Sequence, residues 1–332
     1  MRRVRIALLG CGHVGSGLVR LLARSRARLA ASHGVTFELA SVLVRDGERR
    51  REGVDPALIT TRVEDALSAA GDVVVELLGG IEPAWTLVRR ALARGLPTVT
   101  ANKALLARHG RELFAAARGT PLGFEASVCG GVPIVRALRG GLAGDRVRSV
   151  TGVLNGTCNF VLTRMERDGA TFAEALRAAQ EAGFAEADPA LDIGGWDAAQ
   201  KLVVLAALAF GEWVPLSGVR VRGIEDVTLE RLARARERGR ALRLVAAAER
   251  RGRRLELWVE PREVPADHPL AMVSREENAV LVRGDDVGEL LFRGRGAGAR
   301  PTATAVLADL CDVMRGAGEE AALRPAPALV AC

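Results

Sequence analysis

Val4-Arg5-Ile6-Ala7-Leu8-Leu9-Gly10-Cys11-Gly12-His13-Val14-Gly15 is a short apolar run closing on glycines in Gly-x-Gly-x-x-Gly spacing. A helical pattern follows to about Ala31. A strand, a glycine loop and a helix in that order form a dinucleotide fingerprint. Gly10, Gly12 and Gly15 let the backbone turn tightly and approach a pyrophosphate, which then rests on a helix N-terminus. A strand-to-helix turn with no ligand is the weaker reading, because the motif opens a longer alternation. Phe37 to Val44 reads as a second strand and Asp72 to Leu77 as a third, closed by Gly79-Gly80. Pro83 starts a helix to Arg94, and Pro97 to Thr100 and Leu122 to Phe124 are further short strands. Strands alternating with helices predict an α/β chain: a Rossmann-like, doubly wound parallel sheet over residues 1–125.

The pattern changes after Glu125. Val132 to Leu142 reads as helix, Val147 to Leu154 as strand, and Thr171 to Ala182 and Trp196 to Phe210 as helices. Arg240 to Val259 and Ala279 to Val282 read as strands of a second sheet. A helix from Pro301 to Met314 follows the turn Gly294 to Gly298. The expected division is a nucleotide domain, 1–125 completed by 301–320. A mixed α/β substrate and dimerisation domain follows over 126–300, then a loose tail, 321–332.

The second strand ends Val44-Arg45-Asp46, with Arg49-Arg50-Arg51 beyond. An acidic residue at the end of this strand suits the ribose 2′-hydroxyl of NAD, whereas an arginine suits a 2′-phosphate. Arg45 therefore favours NADP(H). Asp46, one residue late, keeps NAD(H) open, and Arg49 to Arg51 reads as an exposed charged turn.

The chain holds 47 Lys and Arg, of which only Lys103 and Lys201 are lysine. Arginine keeps its proton, while a buried lysine can exchange one. The two lysines are therefore candidates for proton transfer, unless chance alone spared them. Aromatics make up 4% with no tyrosine, which argues against base-stacking nucleic-acid surfaces despite the net charge of +7. Much of that charge lies in Arg231 to Arg254 among interleaved glutamates, as on a solvated helix face. The five cysteines form no Cys-x-x-Cys pair and suit a reducing cytosol. Leu202 to Phe210, the longest helical apolar run, is far short of a membrane span. The expectation is a soluble cytoplasmic protein with no nucleic-acid or membrane partner.

Lys103 lies just past a strand of the nucleotide domain, at the edge where open α/β sheets bind ligands. Asp197 and Lys201 are four apart and share one helix face, and Glu186, Asp188 and Asp192 crowd the preceding loop. That many carboxylates suit a substrate carrying an ammonium; a capped helix start would explain one aspartate, not the set. A neighbouring carboxylate favours a protonated lysine, whereas a general base is best poised near neutrality, so burial or substrate must offset the pair. Asn155-Gly156-Thr157 precedes a helical pattern and its N–H groups suit a substrate carboxylate.

The run from Ala179 through Gly183, Asp188-Pro189, Asp192 and Gly194 to Asp197 and Lys201 resembles the homoserine dehydrogenase family signature. So do Ala101 to Ala104, Glu125 to Pro133, Leu154 to Thr157 and Gly296 to Thr302, in order along nearly the whole chain. The resemblance implies interconversion of L-homoserine and L-aspartate 4-semialdehyde with NAD(P), in threonine and methionine biosynthesis. It implies Lys201 as proton donor and acceptor, Lys103 as second catalytic lysine, and Glu186 and Asp197 as holding homoserine; Asp192, Asn155, Gly156 and Thr157 stand beside them as substrate candidates read from the residues themselves. The expected cofactor set is Gly10, Gly12, His13, Val14, Gly15, Arg45, Gly79, Lys103, Gly183 and Gly298. Glu125 with the carbonyls of Val128, Gly130 and Val132 is the implied monovalent cation site, usually sodium, and a homodimer is implied as well.

His13, Cys158 and Phe160 depart from the family pattern. The sequence also stops short of the C-terminal regulatory domain of many members, so threonine feedback is not expected. Two rivals remain: a semialdehyde dehydrogenase using Cys129 as nucleophile, and a nucleotide sensor without chemistry. The first lacks a nearby histidine, and the second leaves the retention of the two lysines unexplained.

Overall fold

The first sheet has strand order β3-β2-β1-β4-β5-β6, every pairing parallel, in a computed structural model that describes residues 1–69, 71–274 and 276–315. Its strands are β1 (Arg2–Leu9), β2 (Val35–Leu43), β3 (Ile59–Thr60), β4 (Val73–Glu76), β5 (Thr98–Thr100) and β6 (Leu122–Gly123). The helices between them are α1 (His13–His33), α2 (Val63–Ser68), α3 (Ala84–Ala93) and α4 (Lys103–Ala117). Val4, Ile6 and Leu8 enter one buried cluster, while Ala7 and Leu9 enter another. That is why β1 reads as an unbroken apolar run: both faces of a parallel sheet are covered. The order reverses direction between β1 and β4, so the glycine loop after β1 lies at the topological switch point.

The chain divides into Met1–Gly131 with the segment from Gly298 as one unit, and Val132–Ala297 as the other. The first division falls later than residue 125 and the second slightly before 301. The stretch 316–332, with the expected tail and Cys332, lies outside the described residues.

The second unit runs α5 (Ile134–Arg136), β7 (Val147–Val153), α6 (Gly156–Asp168), α7 (Phe172–Glu181), α8 (Ala190–Ile193), α9 (Trp196–Phe210), β8 (Arg220–Val221), α10 (Leu229–Glu237), β9 (Arg240–Arg251), β10 (Arg254–Pro265), β11 (Glu277–Gly284) and β12 (Glu289–Arg295). Its sheet order is β12-β11-β7-β9-β10-β8, antiparallel except for β10 with β8. Thr171 and Glu174 close a reciprocal capping box on α7. α11 (Ala299–Val313) returns to the first unit and packs on α1.

The charged stretch from Arg231 is helix only to Glu237, where it gives way to β9. Glu230 pairs with Arg234 as its spacing suggests, but Arg238 turns instead to Glu263 on β10, at 2.6 Å. No described helix is long and apolar enough to cross a membrane.

Candidate active site

The glycine loop is built by close approach. Gly10 has φ 98°, and a Cβ there would stand 2.7 Å from the Leu77 carbonyl carbon. A Cβ on Gly15 would stand 2.5 Å from the Gly10 oxygen. Gly12 is different: it faces open space, with nothing within 4 Å of a Cβ. It starts α1 without a side-chain cap, so the first-turn N–H groups of a long helix face that space. His13 is exposed and Val14 half-buried beside them.

A cavity of about 370 Å³ opens at this loop, lined by Cys11 to His13, Ser16, Arg20 and Arg49 to Glu52. Arg45, expected to meet a 2′-phosphate, is exposed and does not line it. The arginines that do are Arg49, Arg50 and Arg51, which sequence reading left as a surface turn. The cause is Asp46, whose Oδ1 accepts the N–H groups of Glu48 at 3.0 Å and Arg49 at 3.2 Å. This turn, held through one oxygen of the Asp46 carboxylate, folds the triplet back toward the glycines. Arg51 donates to the Arg49 carbonyl, and its Nε is buried with no hydrogen-bond partner. A buried, unsatisfied guanidinium N–H beside a helix N-terminus fits a phosphorylated dinucleotide.

Lys103 is the first residue of α4 and half-buried. Asn102 caps the helix, its Oδ1 accepting the Leu105 N–H at 3.0 Å. Gly79 has φ 74° and donates its N–H to Glu76 at 3.2 Å. Glu76 is fully buried, and sequence reading missed it. The signal was a carboxylate ending the otherwise apolar strand Val73-Val74-Val75-Glu76. Burial pushes its carboxyl above the usual range, against the hydrogen bonds it accepts.

Glu125 and Val128 are buried, and Glu125 donates its N–H to Asp309 on α11 at 2.8 Å. Cys129 holds φ 55° and Gly130 φ 49°. A left-handed non-glycine residue is costly, and such residues cluster at ligand sites. Cys129 is itself only 1% exposed, unlike the accessible thiolate a nucleophile requires. Gly298 starts α11 in this unit, while Val132 and Gly183 belong to the other.

In the second unit the residues around Lys201 form one connected cluster. Lys201 Nζ donates to Asp197 Oδ2 at 2.8 Å and to the Leu154 carbonyl at 2.7 Å. Asn155 Nδ2 donates to Asp197 Oδ2 and to Asp192 Oδ1, both at 2.7 Å. Asn278 Nδ2 donates to the same Leu154 carbonyl at 3.0 Å. Asp197, Lys201, Asn155 and Asn278 are all buried. β7 ends at Val153 and α6 begins at Gly156, so Leu154 and Asn155 form the turn aimed at α9. Asn155 Oδ1 caps α6 through the Cys158 N–H at 2.7 Å. One asparagine therefore sets the helix start and holds both aspartates.

Thr157 Oγ1 donates to the Phe184 carbonyl at 2.6 Å and lies 3.4 Å from Asp192 Oδ2. Cys158 Sγ contacts the Asp192 carbonyl at 3.1 Å. Burial first, then the Asp192 and Asp197 carboxylates, pushes the Cys158 thiol well above its ordinary value. Phe160 packs on Phe184, ring centres 5.0 Å apart.

Not every expected substrate residue joins this group. Glu186 is exposed, and among the described residues its carboxylate makes no hydrogen bond to the cluster. The Asp188 carboxylate accepts the Ala190 N–H at 3.1 Å just ahead of α8, whose N-cap position is Pro189.

Known proteins match both parts of the chain. The family model for the NAD binding domain of homoserine dehydrogenase matches residues 10–122, and the homoserine dehydrogenase model matches 133–311. The homoserine dehydrogenase of Bacillus subtilis is 42% identical over 319 residues, 95% of this chain and 74% of its own length. A crystal structure of the Thiobacillus denitrificans homoserine dehydrogenase superposes with TM-score 0.91 at 42% identity, covering 95% of this chain and 74% of that one. A hyperthermophilic archaeal homoserine dehydrogenase in complex with NADPH gives TM-score 0.81 at 27% identity, covering 95% and 98%. Two family models in order, with such relatives along nearly its whole length, mean that the chain belongs to the homoserine dehydrogenase family.

Proposed function

We propose that the Lys201 cluster carries the proton step of the family's oxidoreductase reaction, with Lys201 as donor and acceptor at the alcohol oxygen. The observation that carries this is the position of Lys201. One of two lysines in the chain, it is buried and held between a carboxylate and a carbonyl at 2.8 and 2.7 Å. In the reducing direction the ammonium gives a proton to the oxygen of aspartate 4-semialdehyde; in the oxidising direction the amine takes one from homoserine. Asp197 and the Leu154 carbonyl orient Nζ throughout, which is the preorganisation acid–base catalysis needs. Asp192 and Asp197, fixed by Asn155, face the substrate ammonium, and Glu186 adds a further carboxylate from the exposed loop. The first turn of α6 at Gly156 and Thr157 receives the substrate carboxylate.

The nicotinamide supplies or accepts the hydride when bound; this chain's part is to hold and orient it. Gly10, Gly12 and Gly15 with α1 take the pyrophosphate. Arg49 to Arg51 with Arg20 favour NADP(H), and NAD(H) is the weaker partner. The NADPH in the archaeal relative supports that preference. Lys103 acts beside the nicotinamide as second catalytic lysine. Glu125 with the carbonyls of Val128, Gly130 and Val132 holds a monovalent cation, sodium by preference; buried Glu125 and the left-handed turn at Cys129 support it. A homodimer completes the reading, supported by the sheet-edge strand β12 with Leu291 exposed.

The test is absorbance at the reduced-nicotinamide band with L-homoserine and either oxidised cofactor. Faster reduction of NADP+, and loss of turnover in Lys201→Arg, which keeps charge but not a titratable amine, are expected. Normal turnover of Lys201→Arg would end the proton-transfer assignment.

A further inference from the structure

We infer that Glu76 is a positioning residue for the nicotinamide edge of the first unit, tying together the backbone turns that present Gly79 and Lys103. This rests on the reading above that Lys103 works at that edge.

Glu76 is the last residue of β4, and its side chain is inaccessible to solvent. Its Oε1 accepts the N–H groups of Leu78 at 2.7 Å and Gly79 at 3.2 Å. Its Oε2 accepts the Thr100 hydroxyl at 2.5 Å. Thr100 Oγ1 accepts in turn the Asn102 N–H at 3.0 Å. Asn102 caps α4 at Leu105 and donates Nδ2 to the Gly80 carbonyl at 2.7 Å. The circuit runs from carboxylate to threonine to asparagine and back to the loop holding that carboxylate. Lys103 is the next residue along the chain. On the other side, Leu77 donates its N–H to Leu9 at 2.7 Å and crowds Gly10. The glycine loop, the 77–80 loop and the start of α4 therefore meet around one buried carboxylate.

Burying a carboxylate is expensive, and burial does push this carboxyl upward. A glutamine would satisfy the two loop N–H groups without that cost. It would not satisfy Thr100, because an amide N–H would meet the hydroxyl that now donates. Thr100 would keep accepting the Asn102 N–H, but its own hydroxyl proton would lose the acceptor that fixes it at this buried junction. An all-acceptor group is what this junction needs.

The test compares wild type with Glu76→Gln and Thr100→Val in the full-length protein. Both should lower kcat at least tenfold and raise the cofactor KM severalfold, leaving the homoserine KM within about twofold. The isotope effect with homoserine deuterated at its alcohol carbon should rise, because misplacement slows the hydride step itself. The double variant should be no worse than the poorer single, and Thr100→Ser should restore activity. A purely structural carboxylate would lower melting temperature with these kinetics unchanged, and that result overturns the inference. If Glu76→Gln fails to fold, Thr100→Val decides alone, since it leaves the carboxylate in place. Lys103→Met is run in parallel. Activity lost there but normal in Glu76→Gln and Thr100→Val removes the Glu76 role only; normal activity in all three removes the reading of this edge with it.

Discussion

Lys201→Met combined with Asp197→Leu separates the catalytic weight of the buried pair from its structural weight. Breaking a buried, hydrogen-bonded ion pair by removing one partner costs ~3–5 kcal/mol. The two halves should not cost the same. Without Lys201, Asp197 keeps the Asn155 amide at 2.7 Å and the Leu154 carbonyl keeps Asn278 at 3.0 Å. Lys201→Met therefore belongs near ~3 kcal/mol. Without Asp197, an ammonium on a residue only 9% exposed rests on the neutral Leu154 carbonyl. Asp197→Leu therefore belongs near ~5 kcal/mol. With both charges gone no ion is stranded, and the double variant should fall short of the sum by at least ~2 kcal/mol. Urea unfolding followed by tryptophan fluorescence measures this, since Trp196, Trp213 and Trp258 lie in the second unit and only Trp85 in the first. Turnover should behave differently: either single loses ~10²- to 10⁴-fold and the double recovers none of it. Additive stabilities, or a double variant regaining activity, would refute the reasoning.

Three further outcomes follow from particular contacts. Arg51→Ala should raise the NADP+ KM ~10- to 100-fold, the loss of a charge-assisted hydrogen bond of about 1.5–3 kcal/mol, with the NAD+ KM nearly unchanged; an equal effect on both cofactors would contradict the 2′-phosphate assignment. Cys158, buried with its thiol pushed well up, should resist iodoacetamide in the folded protein while half-buried Cys11 reacts first among the described cysteines, as peptide mass mapping would read. Glu76 is raised from 4.5 in the folded state, so its stabilising contribution is complete below that value and is lost as pH rises through the folded one; urea denaturation across pH should therefore show Glu76→Gln gaining stability relative to wild type toward alkaline pH, and a flat or opposite difference would sink this linkage.

The features legible in the sequence are those whose chemistry depends on local spacing. The glycine loop needs its three positions within six residues, and Asp197 meets Lys201 because four residues make one helical turn. What stayed hidden depends on what a turn or a sheet brings together. Arg45 is where strand-end logic points, yet the Asp46 turn delivers Arg49 to Arg51 to the cavity instead. β3 and β8, two residues each, carry no periodicity to read. Glu186 and Asp192 looked equivalent in one acidic loop, but only Asp192 is reached by Asn155. Glu76 is the sharpest case. Thr100 is far along the chain but is its register partner across parallel strands β4 and β5. Leu77 reaches Gly10 only because β1 and β4 are neighbours. Strand order converts three distant turns into one junction, and the carboxylate joining them reads, strand by strand, as nothing more than the polar end of an apolar run. A buried charge closing a parallel strand at the switch point is therefore informative before any contact is known: its desolvation cost must be offset by donors, and at that edge the donors are the loops that hold the cofactor.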